Sequence, residues 1–246
     1  MSEKNLFDII LLIARPAAGK SEIIDYLKRM PPEERRRRFH VGKIDEIDDF
    51  PMIWTWFEED DLLDKMGHPR LHTDSEGYFT QNYLWDLLIE RIGLEYQKKQ
   101  RDLPPDAEAV TTFIEFSRGR QHGGYRSAFS HLTRQILEKT ALLYVNVTWE
   151  ESLRKNRKRF NPEKPDSILE HSLSDAKLER LYKETDWEEV SKANPNYLGV
   201  AEIRVPYVVF DNSDDVTTRR GDALGIRLEQ VLERLWTLYE HQPVGK

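Results

Sequence analysis

The 246-residue chain has no cysteine, which excludes a disulfide framework, a thiolate metal site and a cysteine nucleophile. It also has no apolar run of membrane-spanning length. The most hydrophobic stretch, Phe7 to Ala14, contains Asp8 and follows Lys4, so it reads as a core strand and not as a leader. Positive charge is not in excess. The formal net charge of -7 disfavours nonspecific nucleic-acid binding as the main role. No Asn-Lys-x-Asp sequence occurs, which argues against guanine recognition of the GTPase kind, and no internal repeat or low-complexity tract is present. These absences fit a cytoplasmic setting without membrane association.

What is present is a globular composition, 39% hydrophobic and 33% charged, long enough to bury a full core. The apolar strand runs into Ala14-Arg15-Pro16-Ala17-Ala18-Gly19-Lys20-Ser21. A helix from about Lys20 to Met30 then places Ile23, Ile24, Leu27 and Met30 on one face and stops at Pro31-Pro32. Glu33 to Arg38 reads as a solvated link. Further strands are expected at Phe39–Ile44, Ala109–Phe116, Ala141–Val147 and Arg204–Phe210, the last suited to a sheet edge by Pro206. Helices are expected at about 81–99, 130–139 and 222–240. Another opens at Thr148-Trp149-Glu150-Glu151, which has capping-box spacing, and one more at Ser174. Alternating strands and helices predict a three-layer α/β/α fold with a five-stranded, mostly parallel sheet, in one domain.

Strand, small-residue loop, Gly-Lys-Ser and helix together resemble the phosphate-binding loop (Walker A) of P-loop proteins. The order of the later elements resembles the nucleoside and nucleotide kinases of the adenylate-kinase-like group. That resemblance implies an ATP-dependent phosphotransferase acting on a small molecule, with Mg²⁺. Ala14, Arg15, Pro16, Ala17, Ala18, Gly19, Lys20 and Ser21 would surround the phosphates. Lys20 would reach the outer ones and Ser21 would sit on Mg²⁺. Glu115, which breaks the third strand's apolar run, would support the metal. Asp45, with Asp48 behind it, would act on the acceptor, Arg118 would hold substrate, and Asn212 would contact the base. Residues 50–107 would form an acceptor-side insertion. Residues 149–185 would form a lid whose Arg154 and Arg157 share a face, while Arg159 points elsewhere.

The loop departs from the family pattern. Ala14 and Ala17 stand where glycine is usual, and Pro16 removes one N–H. Other readings of the same residues stay open. Glu115 and Arg118 also fit a structural ion pair. Trp54, Trp56 and Phe57 read more readily as the core of the insertion than as a stacking platform. His68 and His72 are separated by Pro69, which prevents a regular helix from presenting both to a metal. Competing functions are a nucleotide-binding regulatory or ATPase module without an acceptor, and a nucleic-acid 5′-hydroxyl kinase using Arg35–Arg38 and Arg154–Arg159. The acceptor's identity and the oligomeric state leave no signature in the sequence.

Overall fold

Every residue of Ile9–Ala14 is buried. Ile10, Leu12 and Ala14 face one side of the sheet, and Ile9, Leu11 and Ile13 face the other. A continuous apolar strand of this kind is stable only with helices on both faces, and the computed structural model has them. It describes residues 5–104, 106–159 and 173–241. In chain order these form β1 (Ile9–Ala14), α1 (Lys20–Arg29), α2 (Pro32–Phe39), β2 (Lys43–Asp48), α3 (Asp49–Lys65), α4 (Tyr83–Asp102), β3 (Val110–Phe116), a 3₁₀ turn (Arg120–His122), α5 (Gly124–Ser130), α6 (Arg134–Lys139), β4 (Thr140–Asn146), α7 (Trp149–Arg159), α8 (Asp175–Tyr182), α9 (Trp187–Ser191), β5 (Tyr197–Val200), β6 (Ile203–Asp211), α10 (Val216–Arg219) and α11 (Gly221–Glu240).

The sheet order is β2-β3-β1-β4-β6-β5, and all pairs except β5–β6 are parallel. β1 stands where the order reverses, the place at which open α/β sheets receive ligands beyond their carboxyl ends. Residues of α1 and α11 pack with one face, and residues of α4, α5 and α6 pack with the other. A third cluster joins Ile53, Trp56, Leu84, Trp85, Leu88, Leu178 and Tyr182, linking α3, α4 and α8 beside the sheet. Among the described residues, no helix is long and apolar enough to cross a membrane.

Several expectations are corrected. The sheet has six strands among the described residues, not five. The additional β5 pairs antiparallel with β6 through a turn whose Ala201 and Glu202 both have positive φ, so β6 and its Pro206 do not form the edge. The Glu33–Arg38 run is the helix α2 rather than a link. Pro32 lies at its start, and acidic then basic residues match the helix dipole. Arg35 is buried, donating from Nε to the Gly42 carbonyl at 3.0 Å. The second strand begins later than expected, because Phe39 ends α2 and His40 turns left-handed at φ 54°. The helix expected at 130–139 is α6, which begins only at Arg134, and a separate helix, α5, precedes it.

The segment between α3 and α4 is ordered from within. Fully buried Asp60 accepts the N–H groups of Leu71 (2.7 Å), His72 (3.1 Å) and Thr73 (2.6 Å), and the Thr73 hydroxyl at 2.7 Å. Burial works against this carboxylate, but the hydrogen bonds from Thr73, Leu71 and His72 outweigh it and hold its pKa below the usual value. Its stabilising contribution is therefore present above the ordinary aspartate pKa and lost in acid. Asp60→Ala strands three backbone donors and should destabilise the fold by about 2–4 kcal/mol in urea unfolding at pH 7. An unchanged unfolding midpoint would contradict this role.

Candidate functional site

The loop after β1 is held by its carbonyl groups. The Ala14 carbonyl accepts the Tyr125 hydroxyl at 3.0 Å, Pro16 accepts Ser152 Oγ at 2.8 Å, and Ala18 accepts Asn212 Nδ2 at 2.8 Å. The Gly19 carbonyl receives the Ile23 N–H at 3.1 Å, opening α1. Arg15 spans from the loop to the carbonyls of Val147 and Lys183, both at 3.2 Å. With these acceptors occupied from α5, α7 and the turn after β6, the N–H groups of the helix's first turn, which have no intrahelical carbonyl, remain for an anion. Ala17 takes φ 57° and Gly19 takes φ 109°. A side chain at Gly19 would also collide with Thr217 Oγ1, so glycine is required there on two counts. Ala17 reaches its left-handed conformation without glycine, at about 1–2 kcal/mol.

Lys20 Nζ donates to Ser117 Oγ at 3.1 Å, just past the end of β3. Pairing of Leu12 with Glu115, and of Glu115 with Asp48, lines up the carboxyl ends of β1, β3 and β2. Two acids therefore sit beside one lysine. Burial pushes the Glu115 pKa up to about 8; Lys20 opposes this, while Asp48, Glu46 and Asp49 add to it. Asp48 is pushed up to about 6, chiefly by burial and then by Asp49, against the Phe50 N–H bond, Lys20 and Arg159.

These residues open on a cavity of about 310 Å³, shared by Pro16, Ala17, Lys20 and Ser21 at one end. Phe50, Phe57, Tyr78, Phe79, Trp85 and Tyr182 give it aromatic walls. Arg159, Lys177 and Arg180 bring positive charge from α7 and α8. Oxygen donors at the loop end, the Ser21 hydroxyl and the Asp48 and Glu115 carboxylates, are the chemistry Mg²⁺ accepts, typically one or two carboxylates with phosphate and water completing the shell.

The structure redistributes the remaining roles. Asp45 is not at the strand end; it lies inside β2 and pairs with Lys99 at 2.6 Å. The acid that reaches the cavity is Asp48, because β2 starts four residues later than the apolar pattern implied. Arg118 is buried, donating to Asp49 Oδ2 (2.5 Å) and to the carbonyls of Ser117 (2.8 Å) and Trp85 (3.1 Å), so it fixes Asp49 and is not open to substrate. The ion pair foreseen for Arg118 exists, but with Asp49 instead of Glu115.

Arg154 is held by Glu151 (2.5 Å) and Asp215 (2.7 Å), and Arg157 by Asp175 (2.6 Å). Arg159, expected to point away, lines the cavity instead. Asn212 is a buried strut, bonded to Ala18 and Thr217, and not a group offered to a base. Trp56 is core, stacked on His72 at 4.9 Å, whereas Phe57 lines the cavity. The Pro-containing lid loop at 160–165 lies outside the described residues.

Sequence reasoning missed Lys177, Arg180 and Tyr78, none of which belongs to a recognisable motif. Basic residues three apart on α8, Lys177 and Arg180, were the available signal.

The acid pair makes a prediction with a definite sign. Glu115 binds its proton more tightly folded than unfolded, so its contribution is complete below about pH 4.5 and is lost as pH rises through about 8. Glu115→Gln removes that loss. The melting temperature of the variant relative to the native protein should climb between pH 5 and pH 8.5, by about 2–4 °C for each kcal/mol involved. Parallel melting profiles across that range would contradict the assignment.

No family model and no curated protein matches the chain. Among solved structures, an unliganded sugar kinase from Janibacter sp. HTCC2649 is similar with a TM-score of 0.39 and 13% identity, covering 94% of this chain and 98% of its own. A ParA family ATPase from Chlorobium tepidum TLS is similar with a TM-score of 0.29 and 10% identity, covering 97% and 99%. Neither likeness is close enough to carry an argument about function.

Proposed function

We propose that this chain is an ATP-dependent phosphotransferase acting on a small, ring-bearing molecule. One observation carries the reading: Lys20, at the start of a helix entered through left-handed Gly19, shares one aromatic-walled cavity with Asp48 and Glu115. Such a cavity has room for an acceptor as well as for the outer phosphates.

The loop N–H groups and the positive end of α1 would hold the β- and γ-phosphates, with Lys20 moving from Ser117 to the γ-phosphate oxygens. Mg²⁺, held by Ser21 and Glu115, would supply neutralising charge on those oxygens. Asp48 would take the proton of the acceptor hydroxyl as that oxygen forms its bond to γ-phosphorus and the bond from phosphorus to the β–γ bridging oxygen breaks. Arg159, Lys177 and Arg180 would stabilise the charge on the transferring group and on the acceptor. Arg154 and Arg157 would brace the lid instead of entering it, and Arg118 would keep Asp49 in place beside Asp48.

Mg·ATP at a hundred times its dissociation constant should stabilise the native protein by about 2.7 kcal/mol in thermal unfolding. Lys20→Ala should remove most of that shift. Asp48→Asn should keep the shift and lose transfer to any acceptor found in a screen of nucleosides and sugars, by about 10²–10⁴-fold. Asp45→Asn should change neither. Transfer that survives in Asp48→Asn, or fails in Asp45→Asn, would sink the assignment of the base. Binding of Mg·ATP without transfer to any acceptor would favour the regulatory module.

A further inference from the structure

One buried cation has no part in the phosphoryl-transfer reading. Lys155 lies on α7, where Arg157 and Lys158 are exposed, yet it is itself only 8% exposed. Lysine is rarely buried so far unless its charge is matched. Its Nζ meets three partners, none of them on its own helix: Thr217 Oγ1 at 3.1 Å, Asp215 Oδ1 at 2.9 Å and Glu22 Oε1 at 3.6 Å. Lys155 does not line the cavity, so it stands behind the loop and not among the groups that would touch a ligand.

Two of these partners bear on the loop's shape. The Thr217 hydroxyl that receives Lys155 also receives Asn212 Nδ2 at 2.8 Å, and Asn212 Nδ2 in turn reaches the Ala18 carbonyl at 2.8 Å. The same hydroxyl lies against Gly19, where no side chain fits. Asp215, two residues before Thr217, takes a left-handed φ of 56°, and its second oxygen is held by Arg154 at 2.7 Å. Contacts therefore run without a break from Lys155 to the middle of the loop.

The third partner bears on charge. Glu22 lies in the first turn of α1, one residue past Ser21, where the positive end of the helix attracts any anion. Left alone, its carboxylate would oppose a phosphate there, and Lys155 offsets it.

We infer that Lys155 is a positioning residue for the donor's phosphates: from behind the loop it fixes the Thr217–Asn212–Ala18 contacts and neutralises Glu22 and Asp215. The loop then has its anion-binding shape before the ligand arrives and binds without the cost of being ordered. The inference rests on the reading that this loop holds the phosphates of Mg·ATP.

The test uses the full chain, Mg·ATP as the ligand and calorimetry as the readout. Lys155→Met keeps the apolar stem and deletes the ammonium. It should bind Mg·ATP at least fivefold more weakly than the native protein. In the unliganded variant the amide resonances of Ala18 and Gly19 should shift, while those of Leu71 and Thr73, held by Asp60, stay in place. Lys158→Met removes an equal charge from the exposed side of the same helix and should bind within twofold of native. Thr217→Val deletes the hydroxyl shared by Lys155 and Asn212 and should also weaken Mg·ATP at least fivefold. Thr217→Ser, which keeps the hydroxyl, should stay within twofold of native.

A loss of less than fivefold in Lys155→Met would overturn the inference whatever the variant's melting temperature, because the lysine would then serve stability alone. A comparable loss in Lys158→Met would also overturn it, since net charge would be the cause. If Lys155→Met does not fold, the Thr217 pair decides, and equal affinities in the Val and Ser variants would overturn it. Failure of Mg·ATP to bind the native chain would instead refute the phosphotransferase reading.

Discussion

A loop can offer its N–H groups to an anion only if its carbonyl groups are satisfied from outside. That constraint organises this structure. Three carbonyls of the loop after β1 are claimed by three side chains from distant parts of the chain, Tyr125, Ser152 and Asn212. Two of these are fixed in turn. Tyr125 is wholly buried, and its N–H donates to Asp186 at 2.7 Å. Asn212 is locked to Thr217, whose hydroxyl also receives Lys155 Nζ at 3.1 Å. The loop's shape thus depends on α5, α7 and the turn after β6 packing correctly, and a glycine is indispensable only at residue 19.

Charge is arranged by the same logic. Buried Glu115 and half-buried Asp48 are tolerable because Lys20 faces them and because burial lets a proton share the load. Most arginines that look available in the sequence are already committed: Arg118 to Asp49, Arg154 to Asp215, Arg157 to Asp175. Lys177 and Arg180 differ. Among the described residues neither pairs with a carboxylate, and both lie over the Tyr78 ring, at 5.2 and 4.0 Å, on the cavity's wall. Positive charge not consumed by the fold is the charge left for a ligand.

Most of the architecture was legible because its central strands are short and apolar and its helices amphipathic. Ile9–Ala14, Thr140–Asn146 and Gly221–Glu240 fall within two residues of their expected ends. The failures have physical causes. β2 has only Ile44 and Ile47 as apolar residues, so Phe39 and Val41, which belong to the core but not to the strand, drew the expected strand towards the N-terminus. That shift exchanged Asp45 for Asp48 as the acid at the strand end. The β5–β6 hairpin turns at Ala201-Glu202, without the Asn-Gly or Asp-Gly pair that usually announces such a turn. Arginine partners such as Asp49 and Asp215 are tertiary, and spacing along one helix cannot reveal them. His122 could not be distinguished by sequence from an ordinary loop histidine; its stacking on Trp85, 37 residues earlier in the chain, exists only in the fold.

On this reading the N–H groups of residues 17–21 form an anion cradle. Backbone amide resonances of ¹⁵N-labelled protein, followed while Mg·ATP is added, test it most directly. The amides of Ala17, Ala18, Gly19, Lys20 and Ser21 should shift together and furthest, and their hydrogen exchange should slow on saturation. Saturable Mg·ATP binding that leaves those five amides unmoved while others shift would contradict it.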